Sequence, residues 1–280
     1  GPLEAWYLCV HYDQRGSGTS GYHVDKLTVG MHVEDCIAIL EWIKSTLSEK
    51  PAIVVGGSWG SMLGMIVAMR RPDLISHLVL RGAFVSGAQN EKESNRYVLG
   101  KMRELGFEQR RYSLDGFDRR AVAFVESLTK KSSTDPLFAD NLLEQRQLLA
   151  SLGGSEFFES GDVPVPKWTL VKEKTMAIAL APEVGLKTML SFKRSMKKSL
   201  NDMWPEMELW DATTVQLQMP VTVCHGRHDY NTPWRFVDNF MAHLQSPDKE
   251  LVWFHQSAHA PDKEETCKFI STMLRRIPGP

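Results

Sequence analysis

The sequence predicts an α/β fold whose mostly parallel sheet is interrupted by a helical insertion. Three observations predict it: short apolar runs alternate with helix-patterned stretches early in the chain, the middle is charged and helix-patterned throughout, and the alternation returns at the end. At 280 residues the chain has room for one core domain carrying a sizeable insertion.

Trp6–His11 (WYLCVH) reads as a buried strand that ends in the turn-rich stretch Asp13–Gly21. Val33, Ile37, Leu40, Ile43 and Leu47 share one helical face, which predicts a helix over Val33–Leu47. Ala52–Val55 is a second buried strand, Trp59–Arg70 a helix closed by Pro72, and His77–Leu80 a third strand. Strands separated by helices imply crossover connections, hence parallel pairing with both sheet faces covered. From 86 to 212 apolar residues recur at helical spacing (Val98, Met102 and Leu105; Val122, Val125 and Leu128), with breaks at Gly153-Gly154 and Pro164–Pro166. Val221–Cys224 resumes the strands, followed by a helix over Pro233–Leu244, a strand over Glu250–Phe254 and a closing helix over Asp262–Arg275. The expected division is a core formed by 1–85 and 213–280, with 86–212 inserted as a helical cap.

Composition narrows the function. Lys+Arg at 33 against Asp+Glu at 34 argues against nucleic acid or an anionic membrane as partner. The longest apolar run, Met62–Met69, is far short of the roughly 20 residues that span a bilayer, and no secretory signal pattern is visible. Four cysteines (Cys9, Cys36, Cys224 and Cys267) form no CxxC pair, so the expectation is four buried thiols in a reducing cytoplasm, without zinc or disulfide.

Gly56-Gly57-Ser58-Trp59-Gly60 is a G-x-S-x-G pentapeptide set between a predicted strand and a predicted helix, the setting of a nucleophile elbow. The turn strains the backbone at the serine, and the small flanking residues avoid a clash with neighbouring elements. Ser58 then lies at a helix N-terminus, where free N–H groups favour developing negative charge. A serine hydroxyl is a weak nucleophile and needs a base oriented by a third group. In such sites the chain order is serine, acid, histidine. Asp229, in CHGRHDYNTP after the strand Val221–Cys224, sits where the acid belongs. Two histidines follow the last strand: His255 adjoins it and is expected to pack against it, whereas His259 lies further out before Pro261, with room to reach Ser58. Loop position favours His259. An elbow carboxylate, as dehalogenases and epoxide hydrolases require, is absent, and neither metal-ligand spacing nor a phosphate-binding glycine loop occurs. The chemistry left is covalent acyl transfer to water, with no metal or organic cofactor.

Three stretches carry a resemblance to the proline iminopeptidase family of α/β-hydrolases, the serine aminopeptidases that remove N-terminal proline. Tyr12-Asp13-Gln14-Arg15-Gly16-Ser17-Gly18-Thr19-Ser20 resembles the family's DQRG turn, Gly56–Ser61 its GGSWGS elbow, and Gly226-Arg227-His228-Asp229 with Ser257-Ala258-His259 its GRxD and SxH loops. Leu80-Arg81-Gly82 fits the family's entry into its cap. The resemblance implies Ser58 as nucleophile, Asp229 as acid, His259 as base and the Trp59 N–H as oxyanion donor. Asp13 and Arg15 are read as charge-assisted ties within their loop. The family's HGGPG-type loop, which supplies a second oxyanion N–H, has no counterpart beyond Gly1-Pro2, so the sheet is expected to lack its first strands. The family recognises the substrate's imino group with acidic cap residues; the candidates are Glu126, Glu156, Glu159, Glu173 and Glu183, of which Glu183, at a break beside Pro182, is favoured. The expected partner is a small peptide or an ester. A carboxylesterase with the same triad is the alternative, and a non-catalytic ligand-binding protein is the reading that follows from a missing oxyanion loop.

Overall fold

The computed structural model describes residues 2–20, 24–109, 119–129, 133–155, 158 and 186–277, with 186–193 described by their backbone alone. Among these residues one fully parallel sheet runs in the order β1-β2-β3-β4, with β1 Ala52–Ser58, β2 Ile75–Ala83, β3 Val221–Gly226 and β4 Lys249–Phe254. The central strands are apolar on both faces, because Leu78, Val79, Leu80, Val221, Val223 and Cys224 are all completely buried. A sheet wet on one side would alternate; this one is covered on both.

Helix α1 (Val29–Thr46) starts where the Thr28 hydroxyl accepts from the Met31 N–H at 3.1 Å, a side-chain cap that satisfies a free helix donor. It buries Val33 and Leu40 as expected but leaves Leu47 beyond its end and exposed. Helix α2 (Trp59–Arg70) springs directly from β1, packs on β1 and β2, and stops before Pro72. Between β2 and β3 come α3 (Gly87–Glu104), α4 (Arg119–Leu128), α5 (Phe138–Ser151) and α6 (Leu186–Met207). Val98, Met102, Phe107, Val122, Val125, Leu148 and Leu149 give α3, α4 and α5 a hydrophobic cluster of their own. The end of α6 instead joins the main core through Met203, Trp204 and Met207. The expected helix Pro233–Leu244 begins as a short 3₁₀ turn, Trp234–Phe236, before α7 (Val237–His243). After β4 the closing helix is two pieces, α8 (Pro261–Glu264) and α9 (Thr266–Arg276).

Two expectations need correction. Trp6–His11 is not a strand: a 3₁₀ turn covers Pro2–Ala5, and the extended residues after it pair with no strand. Trp6, Leu8 and Val10 alternate outward at 54%, 74% and 39% exposure, and Tyr7 and Cys9 between them are only half-buried. A strand is defined by its ladder, and apolar content cannot supply one. The thiols are not all buried either: Cys36 and Cys224 are, Cys9 is half-buried, and Cys267 is exposed. Burial pushes the Cys224 thiol up to about 12. No described helix is long and apolar enough to cross a membrane.

Candidate active site

Ser58 closes β1 and immediately precedes α2, with φ 55° and ψ −124°, and among the described residues no other non-glycine has a positive φ. Such a backbone costs about 1–3 kcal/mol and persists only where its surroundings enforce it. Here they do. A Cβ on Gly56 would lie 2.2 Å from the Gly60 carbonyl oxygen, so only glycine lets the strand and helix approach this closely. The Ser61 hydroxyl donates to the Ser58 carbonyl at 2.5 Å and accepts from the Phe84 N–H at 2.8 Å, tying the elbow to the end of β2. Trp59 occupies the first position of α2, where backbone N–H groups have no partner within the helix, and its indole donates to Gln14 Oε1 at 3.0 Å. The DQRG turn thus buttresses the elbow. Asp13 does not meet Arg15: it accepts from the Thr19 N–H and hydroxyl at 2.7 and 2.8 Å, while Arg15 makes a two-pronged pair with Asp35 on α1.

Asp229 and His259 are brought together. Asp229, completely buried in the loop after β3, accepts at Oδ1 from the Asn231 and Thr232 N–H groups at 2.9 and 2.8 Å. At Oδ2 it takes the Thr232 hydroxyl at 2.8 Å and His259 Nδ1 at 2.8 Å. Burial alone would raise this carboxyl; the His259 charge and hydrogen bond, helped by His225 and the Thr232 N–H, outweigh it and hold the group below the ordinary carboxylate range. A carboxylate at Nδ1 fixes the imidazole proton there and leaves Nε2 free to accept one. The His259 ring rests on Gly82, where φ is 52° and a Cβ would come within 2.8 Å of Nδ1. Gly82 precedes Ala83, the residue registered with Ser58 across β1 and β2. Serine, acid and histidine therefore gather at the C-terminal edge of the sheet, where open α/β folds place their ligands.

The loops are held from several sides by further residues. The Tyr230 N–H donates to the Gly154 carbonyl at 2.9 Å and the His259 N–H to the Ser155 carbonyl at 2.8 Å, so the segment after α5 clamps both loops at once. Arg81 Nη1 donates to the His259 carbonyl at 2.9 Å. Glu264 and Glu265 accept from the Ala258 and Gln256 N–H groups at 2.8 and 3.0 Å. Behind Asp229 lies His225, completely buried, whose Nδ1 accepts from the Ala83 N–H at 3.1 Å while Nε2 donates to the Thr232 carbonyl at 3.0 Å. These bonds require a neutral ring, and burial, opposed by Asp229, keeps the His225 pKa below its ordinary value. Since the unfolded chain then binds a proton that the folded chain does not, stability should fall as pH drops below about 6.5, by up to about 1.4 kcal/mol per pH unit for this group. Melting temperatures from pH 7.5 to 5.5 check this; a flat profile contradicts it.

His255 does not pack against β4. It is exposed, and only its carbonyl is used, accepting from His228 Nε2 at 3.1 Å. Of the acidic cap candidates, Glu126 is exposed on α4 and paired with Arg103 at 2.7 Å. Glu156, Glu159, Glu173 and Glu183 lie outside the described residues.

The chain is 25% identical over 282 residues to "Probable aminopeptidase YbaC" of Bacillus subtilis (strain 168), a match covering 98% of this chain and 80% of that protein. A proline iminopeptidase of Arabidopsis thaliana is 37% identical over 82 residues, 29% of this chain and 20% of that one. The crystal structure of a Mycobacterium smegmatis proline iminopeptidase matches with a TM-score of 0.54 at 20% identity, covering 95% of this chain and 77% of that one. The model of the alpha/beta hydrolase fold matches residues 3–264, and the chain belongs to that family.

Proposed function

We propose that the chain is a serine hydrolase of the proline iminopeptidase type, releasing N-terminal proline or a similar residue from short peptides through an acyl-enzyme on Ser58. The observation that carries this reading is a strained serine elbow at the same edge of the sheet as a buried histidine paired to a carboxylate at 2.8 Å. His259 Nε2 takes the Ser58 proton as Oγ attacks the substrate carbonyl, and returns it to the leaving amine. Asp229 stabilises the imidazolium formed between those steps. The Trp59 N–H donates to the oxyanion. Water then attacks the acyl-serine by the same proton route, and neither metal nor organic cofactor is needed. The helices of 86–212 act as the cap over the sheet edge, and the setting is cytoplasmic. The aminopeptidase and proline iminopeptidase names of the relatives support the peptide specificity.

The test is kcat/KM on a prolyl arylamide, its N-acetyl counterpart and a short-chain aryl ester. Blocking the imino group removes a positive charge and leaves the carboxylates that receive it unpaired, a loss of about 2–5 kcal/mol or at least about thirtyfold in rate. Equal rates on free and blocked proline, with the ester far ahead, would make the protein a carboxylesterase. Saturable binding without turnover of any of the three would make it a ligand-binding member of the fold.

A further inference from the structure

A cleft between α3, α5 and the end of α6 contains none of the residues proposed for the reaction. It is open to solvent on one side. Phe138, Leu142 and Trp204 make part of its lining apolar, and Asn95, Asn141 and Gln145 belong to the same lining. Asn95 Oδ1, Asn141 Nδ2 and Gln145 Nε2 are each buried without a hydrogen-bond partner. Gln145 is completely buried and Asn95 is 5% exposed. One such orphan is costly, and three fall within the lining of one cleft. They offer one acceptor and two donors, and the small group that answers both is a carboxamide, whose carbonyl accepts while its N–H donates. At the rim the Glu208 carboxylate takes the Ser133 hydroxyl and makes no ion pair among the described residues. Glu91, in contrast, is already held by Arg146 in a two-pronged pair.

We infer that this cleft binds a small carboxamide bearing an apolar side chain and an amine, the chemistry of an amino-acid amide. It is separate from the reacting centre. Ala88, Glu91, Lys92 and Asn95 follow helical spacing along the stripe of α3 that lines the cleft. The opposite stripe grips the acid loop, with Asn90 Nδ2 donating to the Asn231 carbonyl at 2.9 Å and the Ser94 hydroxyl to the Tyr230 carbonyl at 2.5 Å.

The test titrates L-leucinamide into Ser58→Ala protein and follows tryptophan fluorescence and heat of binding. Saturable binding is expected, with a fluorescence change that disappears in Trp204→Phe. Gln145→Leu and Asn95→Leu should each weaken binding at least about fivefold. Isoamylamine, which keeps the branched chain and ammonium but lacks the carboxamide, should not bind. Gln145→Leu removes the unpaired Nε2 together with an Oε1 that accepts from Arg146 Nη1 at 2.5 Å, so its melting temperature is measured beside binding, and Asn95→Leu is an independent second probe. Absence of binding, binding equal in both variants, or equal binding of isoamylamine would overturn the inference. The measurement needs no turnover: failure of Ser58 labelling leaves it intact, and its own failure leaves the proposed hydrolase standing.

Discussion

Protein carrying Ser58→Ala should take up no fluorophosphonate label and should hydrolyse a prolyl arylamide about 10⁴–10⁶-fold more slowly than the parent. The Ser58 side chain makes no capping hydrogen bond to α2, and its carbonyl, the atom that Ser61 holds, survives the change. Alanine inherits the same positive φ, so the melting temperature should stay within experimental error of the parent. Ser58→Gly separates chemistry from strain. It should be as inactive as Ser58→Ala, yet more stable by about 1 kcal/mol, because glycine adopts φ 55° without penalty. A protein that is active with alanine, or still labelled, has its nucleophile elsewhere.

The parts of the fold that were legible in the sequence are those whose signal is local. Strands β1 to β4 announce themselves as apolar runs because a parallel sheet covered on both faces leaves no polar alternation to confuse them. Helix α2 is bounded by the elbow glycines and Pro72, both of which act through their own backbone. Trp6–His11 has the same apolar content and forms no ladder, since pairing depends on a neighbour that the segment's own residues do not specify. The site divides along the same line. Ser58, Asp229 and His259 are motif residues, and the last two meet at 2.8 Å. The bonds of His225 to Ala83, of Arg81 to His259 and of the Gly154–Ser155 clamp were invisible because they join residues far apart in the chain, several of them backbone carbonyls that any sequence would provide. One clue was present: Thr232 stands three residues after Asp229, the spacing at which an acidic side chain takes a hydrogen bond from its own turn.

Replacing His259 by alanine should lower turnover by several orders of magnitude, as loss of one triad member does in other serine hydrolases, whereas His255→Ala should leave rate and stability nearly unchanged. The two residues stand four apart in one loop, but their surroundings oppose each other. His259 is 8% exposed, with Asp229 on Nδ1 and Gly82 beneath its ring, while His255 is exposed and lends only a carbonyl. His259→Ala should still fold, because Asp229 keeps the Asn231 N–H and both Thr232 bonds. It should nonetheless be less stable than the parent at neutral pH and less sensitive to acid. The Asp229 carboxyl is held below its ordinary value of 3.8 against the raising effect of burial, and the His259 charge leads among the interactions that hold it down. That depressed value contributes stability above the unfolded pKa, lost as pH falls through the folded one. Without the imidazole the folded pKa rises toward or past the unfolded value, so the contribution at neutral pH shrinks or changes sign, less stability is left for acid to remove, and the gap between variant and parent narrows as pH falls. Steady-state rates on the prolyl arylamide together with melting temperatures of variant and parent at neutral pH and below the unfolded pKa of 3.8 separate the two consequences. An inactive but fully folded His255→Ala, beside an active His259→Ala, would move the base to the exposed histidine and leave the buried Asp229–His259 pair as a structural tie between two loops.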